Sequence, residues 1–553
     1  MIITRVVSSL EKPFLEDNIL QFKELKTLRI LKNERASFQL LYTKNDVSDH
    51  NIRAFATPVI KSELAEYITM RSLVNIPSTL AAYPDRLDTK YLKTTPGLYP
   101  DLLQPVHNKG DISIFYNQLR SLWFELDTKG EVEAGAYTVT IELYDKKSGE
   151  LINTHELEIK IMNANLPEQE LIVTQWFHCD CLADYYGVEV FSERHWEIIE
   201  NFVKTAVKNG QNMLLTPTIT PAFDTEVGGE RPTVQLVDIS IDNGKYTFNY
   251  DKLDRWVEMC HRCGIKYFEL PPFFTQWGAE HAPKIVATVD GEFKRIYGWD
   301  TDAASEEYAE FTVVFVAALL EHLKELGIDK QCYFHMSDEP KLKNLEQYKK
   351  SQAGIRKCIE GYHTMDAISN YEFYLEGLID TPVPSTNHIK EFLEGNIPGM
   401  WCYYCCSQCI DVSNRFFAMP SARTRSIGVQ MFKFNIGGFL QWGYNFYYNQ
   451  RSRDLINPFY ETTGEDWVES GDAYIVYPGF DGKPMESIRL VSFNEGLQDM
   501  RAMKLCESFY GHDAVVEAIE KVCGEVRFDK CLTSSEEMIA VRECINDMIE
   551  AKI

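Results

Sequence analysis

Positive charge is scarce in this sequence: 56 lysines and arginines stand against 82 aspartates and glutamates, a net charge of −26. Without a basic stripe there is nothing to hold a phosphate backbone or an anionic bilayer, so no nucleic-acid or membrane partner is expected. Long apolar runs are missing too. The longest, residues 311–320, is too short to span a bilayer and lies between Glu310 and Glu321. Residues 1–10 lack the basic stretch, apolar run and small-residue cleavage site of a signal peptide, so a cytoplasmic location is expected. No Gly-x-Gly-x-x-Gly or P-loop follows any predicted strand, which removes support for a dinucleotide or nucleoside triphosphate. No internal repeat or low-complexity stretch is present.

A paired zinc motif is also lacking. Cys402 and Cys405, and Cys260 and Cys263, have C-x-x-C spacing, but the first overlaps a predicted strand and the second a predicted helix with no matching pair. No His-x-x-x-His spacing supports a site at His178-Cys179-Asp180-Cys181. Neither metal nor cofactor is expected, and the 14 cysteines read as reduced thiols.

What is present is a change of rhythm. Residues 1–166 show short alternating strands with turns such as Lys146-Lys147-Ser148-Gly149, the pattern of a β-sandwich, with 82–105 read as a long ordered loop. From 167 to 455 strands alternate with helices. Strands are predicted at 171–177, 212–218, 265–270, 332–336, 363–369, 385–389, 399–405 and 437–442. Continuous helices are predicted at 344–360 and 423–434, and a hairpin inside 221–250. Eight such strands fit a (β/α)8 TIM-like barrel, an α/β architecture, better than an open sheet. Residues 456–553 read as a strand arm and helices packed on the barrel.

In a barrel, ligands sit where the strands end. The fourth strand ends in Asp338-Glu339-Pro340, two adjacent carboxylates and a residue with no N–H to continue pairing. Read alone, the pair caps the next helix or carries chemistry. An ordinary retaining glycosidase needs a second acid about 5 Å away on another strand. The seventh strand ends without one. Asp411 comes late, and Glu269 on the third strand is explained equally by burial. An adjacent pair serves if the substrate supplies the nucleophile: a 2-acetamido oxygen attacks the anomeric carbon, Asp338 orients the amide, and Glu339 is acid and then base. Aromatic residues, 12% of the chain, supply sugar platforms or core packing. Trp401 and Tyr403 share a face of strand seven, with the Tyr403 hydroxyl a candidate donor to the acetamido carbonyl. Trp442 and Asn445 follow strand eight, Trp176 and His178 end strand one, and Gln276-Trp277 follow strand three.

Together these pieces resemble glycoside hydrolase family 123, the β-N-acetylgalactosaminidases. The matching segments are His335-Met336-Ser337-Asp338-Glu339-Pro340, Thr275-Gln276-Trp277-Gly278, Asn414-Arg415-Phe416, Trp442-Gly443-Tyr444-Asn445, Gly471-Asp472, Tyr477-Pro478-Gly479 and Ser487-Ile488-Arg489-Leu490. The resemblance implies a sandwich and barrel and substrate-assisted retaining hydrolysis by Asp338 and Glu339; the substrate contacts expected beside the pair are His178, Gln276, Trp277, His335, Trp401, Tyr403, Trp442 and Asn445. The leading expectation is an exo-acting β-N-acetylhexosaminidase for terminal β-linked N-acetylgalactosamine on an oligosaccharide or glycoconjugate, alone or as a homo-oligomer. The rival readings are a non-catalytic carbohydrate-binding protein and a β-glycosidase with no acetamido requirement.

Overall fold

The computed structural model describes residues 1–47, 52–106 and 110–553. The N-terminal region holds two five-stranded sheets. Phe38, Leu40 and Phe124 of one and Ile141, Leu157 and Ile159 of the other meet in one apolar core, as alternation of apolar side chains along each strand requires. The end of the 82–105 stretch is not a loop. Gly97–Pro105 is an edge strand paired with Ile68–Ser78, with a register irregularity opposite Pro100 and Asp101. Proline is tolerated there because an edge strand and a bulge need fewer N–H donors.

Eight parallel strands follow in two sheets. Ile172–Gln175 pairs with Gly438–Gln441, which pairs with Trp401–Tyr403; Met213–Leu215, Tyr267–Leu270, Cys332–His335, His363–Ala367 and Thr381–Val383 form the second sheet in chain order. Two seams join them. The Asn212 N–H donates to the Val173 carbonyl at 3.2 Å, and the Tyr403 N–H donates to the Pro384 carbonyl at 3.1 Å. Side chains from the strands, among them Ile172, Met213, Tyr333, Met365, Val383, Trp401 and Leu440, pack into a single interior cluster. Helices such as Glu193–Lys208 and Asp251–Cys263 lie outside, the second closed by Gly264 at φ 102°. Glu306–Glu325 begins with the Ser305 hydroxyl accepting from the Tyr308 N–H and with Glu306 and Glu307 in its first turn, where the helix dipole favours them.

Three further expectations need correction. The sixth strand is Thr381–Val383 and not 385–389, because Pro382 and Pro384 hide it behind the usual exclusion of proline from strand interiors. The helix expected at 344–360 breaks at Ala353-Gly354 into Leu345–Gln352 and Ile355–Cys358. The one expected at 423–434 is two, Ser421–Arg425 and Ile427–Lys433, parted at Ser426, whose hydroxyl bonds back to the Arg423 carbonyl at 3.0 Å. The hairpin expected in 221–250 exists as Asp238–Asp242 and Lys245–Asn249. It pairs with a second, Ile285–Val289 and Glu292–Tyr297, that the sequence reading did not include.

The C-terminal segment packs back on both regions. The long helix Ile488–Tyr510 carries Arg489, whose guanidinium makes a buried two-pronged pair with Asp101 at 2.8 and 2.9 Å. No helix among the described residues is long and apolar enough to cross a membrane.

Candidate active site

Asp338 and Glu339 follow the strand Cys332–His335 and are half-buried. Their loop is held against its neighbours on both sides. The Glu339 N–H donates to the Ala367 carbonyl at 3.1 Å, and the Trp277 N–H donates to the Asp338 carbonyl at 2.8 Å. Both Glu339 (φ 45°) and Trp277 (φ 64°) sit in the left-handed region. A bulky residue there costs about 1–3 kcal/mol and persists where its surroundings over-determine it, a pattern found at functional sites.

Beneath the pair lies a buried ionic network. The His335 ring meets Glu269 Oε1 at 2.9 Å through Nδ1 and Asp366 Oδ1 at 3.2 Å through Nε2, all three side chains wholly enclosed. Glu269 also accepts from the Thr174 hydroxyl at 2.7 Å and the Trp176 indole at 2.8 Å. Asp366 accepts the N–H groups of Met336 and Ser337 at 3.0 and 2.9 Å, and the Tyr348 hydroxyl. Burial alone would lower the His335 pKa, but the bond to Glu269 and the charge of Asp366 outweigh it and raise the pKa. Burial raises Asp366. It also lifts Asp338 well above the ordinary carboxylate range, helped by the charge of Glu339 and, less, by Asp366 and Glu269, while His335 opposes. The site thus keeps a proton that a free carboxyl would release.

A cavity of about 210 Å³ opens over the pair. Of the residues expected at the site, His178, Gln276, Trp277, Tyr403 and Trp442 line it together with Asp338 and Glu339. Three others do not. His335 is wholly buried in the network below, which removes it from sugar contact. Trp401 lies two residues deeper than Tyr403 on the same strand face. Its indole sits against Gly438, where a Cβ would come within 2.2 Å of the ring, so it fills the interior and not the rim. Asn445 uses its amide as a clip, accepting from the His178 N–H at 2.9 Å and donating to the His178 carbonyl at 3.0 Å. The reading of Glu269 as a burial-driven carboxylate agrees with its full enclosure.

The walls are set by their own partners. Arginine has only donors and a carbonyl only accepts. His178 therefore accepts from Arg231 at Nδ1 (3.2 Å) and donates from Nε2 to the Trp442 carbonyl (2.9 Å). That fixes a neutral ring, and burial, then the Arg231 charge, lowers its pKa to about 4. The Trp442 indole donates to Asp472 Oδ2 at 2.9 Å; burial lifts that carboxyl to about 6. Arg415, fully buried, links the Gln175 side chain at 2.6 Å, the Gly443 carbonyl at 2.5 Å and the Asp472 carbonyl at 2.7 Å. Gly443 has to be glycine because a Cβ would meet the Ala473 carbonyl oxygen at 2.1 Å. The Tyr403 hydroxyl, expected at the acetamido carbonyl, donates to Glu339 Oε1 at 2.7 Å.

Several lining residues were not foreseen. Phe223 stacks on Trp176 with ring centroids 3.8 Å apart, and Asp224 beside it places a third carboxylate on the cavity. Trp467, from the C-terminal segment, leans on Trp442 at 5.5 Å. Their only sequence signal is position, in long excursions that follow strand ends. Among the described residues no cluster of three or more His, Cys, Asp or Glu side chains is placed to hold a metal ion.

Paired half-buried carboxylates and a tryptophan-lined cavity at the strand ends are the outfit of a glycoside hydrolase. The family model of the glycoside hydrolase 123 catalytic domain matches residues 176–506, more than half of the chain. The chain belongs to glycoside hydrolase family 123. It is similar in fold to a family 123 glycoside hydrolase from Clostridium perfringens, the subject of work on glycolipid glycan hydrolysis. That likeness has a TM-score of 0.75 at 15% identity and covers 100% of this chain and 98% of that one. A family 39 glycoside hydrolase from Bacteroides cellulosilyticus WH2 matches at 11% identity and a TM-score of 0.32, over 85% of this chain and 81% of that one. That second likeness is too loose to carry an argument. No curated protein matches the chain in sequence.

Proposed function

We propose that the chain is an exo-acting retaining β-N-acetylhexosaminidase that releases terminal β-linked N-acetylgalactosamine by substrate-assisted hydrolysis. The eight strands are read as a closed (β/α)8 barrel on residues 167–455, with a sandwich before it, a packed extension after it, and a cytoplasmic location. The observation that carries the chemistry is the division of strand-end carboxylates. Asp338 and Glu339 face the cavity, while Glu269 and Asp366 are enclosed and engaged below it.

In this reading the acetamido oxygen attacks the anomeric carbon as the bond to the leaving oxygen breaks. Asp338, accepting the acetamido N–H, stabilises the positive charge of the oxazolinium. Asp338 serves as the carboxylate that accepts the amide N–H, and Glu339 acts as the general acid that gives a proton to the leaving oxygen. Glu339 then takes a proton from the water that opens the oxazolinium, and two inversions retain configuration. The substrate class is an oligosaccharide or glycoconjugate, and the glycolipid glycan of the Clostridium perfringens enzyme falls within it.

A panel of aryl β-glycosides, galacto and gluco, with and without the 2-acetamido group, tests this. Turnover confined to the acetamido substrates is expected. Equal turnover of the plain glycosides would make it an ordinary β-glycosidase with Asp224 the candidate nucleophile. Binding without turnover would make it a carbohydrate-binding protein.

A further inference from the structure

Gln276 and Asp224 come from different loops, one after the third strand and one after the second, and meet at the cavity wall. The Asp224 N–H donates to Gln276 Oε1 at 2.6 Å. Because that oxygen must be the acceptor, the amide orientation is fixed and Nε2 points the other way. Nε2 is buried and has no hydrogen-bond partner among the described residues, on a side chain that is 8% exposed and lines the cavity. A buried donor without a partner is costly, and a hydroxyl of a ligand in the cavity would satisfy this one.

Asp224 is held in place as firmly as the catalytic pair. Its backbone is left-handed at φ 42°. Its carbonyl accepts from the Ser452 hydroxyl at 2.8 Å, and its Oδ2 from the Arg451 N–H at 3.1 Å. These bonds secure the loops and explain Oδ2. They leave Oδ1 with no hydrogen bond from the described residues, on a residue that lines the same cavity as Gln276. Burial raises this carboxyl to about 6, as expected for a carboxylate whose partners are too few.

We propose that Gln276 Nε2 and Asp224 Oδ1 form a clamp that reads the hydroxyls at C3 and C4 of the sugar in the cavity, the amide donating to one oxygen and the carboxylate accepting from one O–H. The two residues bring one free donor and one free acceptor to the same cavity, which is what a vicinal diol needs. Its position sets which diol. Gln276 precedes Trp277, whose N–H is bonded to the Asp338 carbonyl, so the clamp stands on the Asp338 flank. The assignment rests on the proposed reading, in which Asp338 takes the acetamido group at C2; the ring positions next along that flank are C3 and C4. The clamp makes both loops specificity-determining, and it gives Asp224 a task other than nucleophile.

The test is a cycle between enzyme variant and substrate hydroxyl. Asp224→Asn and Gln276→Glu, both isosteric, are assayed on the parent aryl N-acetyl-β-galactosaminide and on its 3-deoxy, 4-deoxy and 6-deoxy analogues. Each variant is expected to lower kcat/KM about 30-fold on the parent and on the 6-deoxy substrate, and less than about 3-fold on the 3-deoxy or 4-deoxy substrate whose hydroxyl it reads. Equal losses on all four, or coupling only to the 6-hydroxyl, would overturn the clamp. Should Asp224→Asn not fold by circular dichroism, Gln276→Glu, which keeps the acceptor for the Asp224 N–H, carries the test. The same cycle is run on dissociation constants of free N-acetylgalactosamine and its deoxy forms by titration calorimetry. That arm needs no turnover, so loss of the acetamido requirement sinks the assisted mechanism while hydroxyl coupling is judged separately.

Discussion

The Tyr403 hydroxyl donates to Glu339 Oε1 at 2.7 Å, tying the end of the seventh strand to the carboxylate loop of the fourth. One phenol therefore aims the proposed acid/base. Tyr403→Phe is expected to lower kcat/KM about 10- to 100-fold, the range typical of general-acid effects, on substrates with poor leaving groups. The loss should be smaller on aryl glycosides with good ones. A loss independent of leaving group, measured across an aryl series, would assign Tyr403 to binding alone.

Asp338 ties stability to pH. Its native pKa lies above that of an unfolded carboxyl, so between the two values the native state binds a proton that the unfolded chain has released. Stability from this group is therefore lost as pH rises through that window. Asp338→Asn should melt higher than the parent at pH 8, with the gap narrowing toward pH 4. Scanning calorimetry at both pH values reads this, and a lower melting temperature at pH 8 would count against the raised pKa.

Much of this was legible in the chain. Seven of the eight core strands show as apolar runs ended by turns, and Asp338-Glu339 stands out because two neighbouring charges do not sit inside a buried strand. Periodicity does not show depth. Trp401 and Tyr403 share a face, yet only the distance along the strand separates an interior filler from a rim residue. His335 looks like a ligand until its two carboxylates appear, and these come from strands 66 and 31 residues away in the chain (335 − 269 and 366 − 335). Asp224 and Trp467 have no local pattern at all: long loops place them, and only the folded chain shows where a loop returns.

Glu269 is enclosed, so its loss acts through His335. Glu269→Ala should destabilise the fold by about 3–5 kcal/mol, the usual effect of stripping one partner from a buried pair. Added azide should restore no activity and form no glycosyl azide. Azide rescue, followed by product analysis, would instead mark Glu269 as a nucleophile.

Trp277 is the exposed face of the cavity, 44% accessible beside the carboxylate loop. As a platform for the sugar or its aglycone, it should be dispensable for folding. Trp277→Ala is expected to raise KM about 10-fold or more, from lost ring stacking worth about 1–3 kcal/mol, with little change in melting temperature. An unchanged KM would leave the indole with no part in binding.

The central claim is that the substrate, and not the protein, supplies the nucleophile. Steady-state kinetics on a series of aryl glycosides with the 2-acetamido group replaced by its mono-, di- and trifluoroacetamido forms tests it most directly. Each fluorine weakens the carbonyl oxygen as a nucleophile without removing the group. The account predicts that kcat/KM falls steeply with every added fluorine, by about 100-fold or more across the series. A flat series would contradict it and return the role of nucleophile to a carboxylate of the protein.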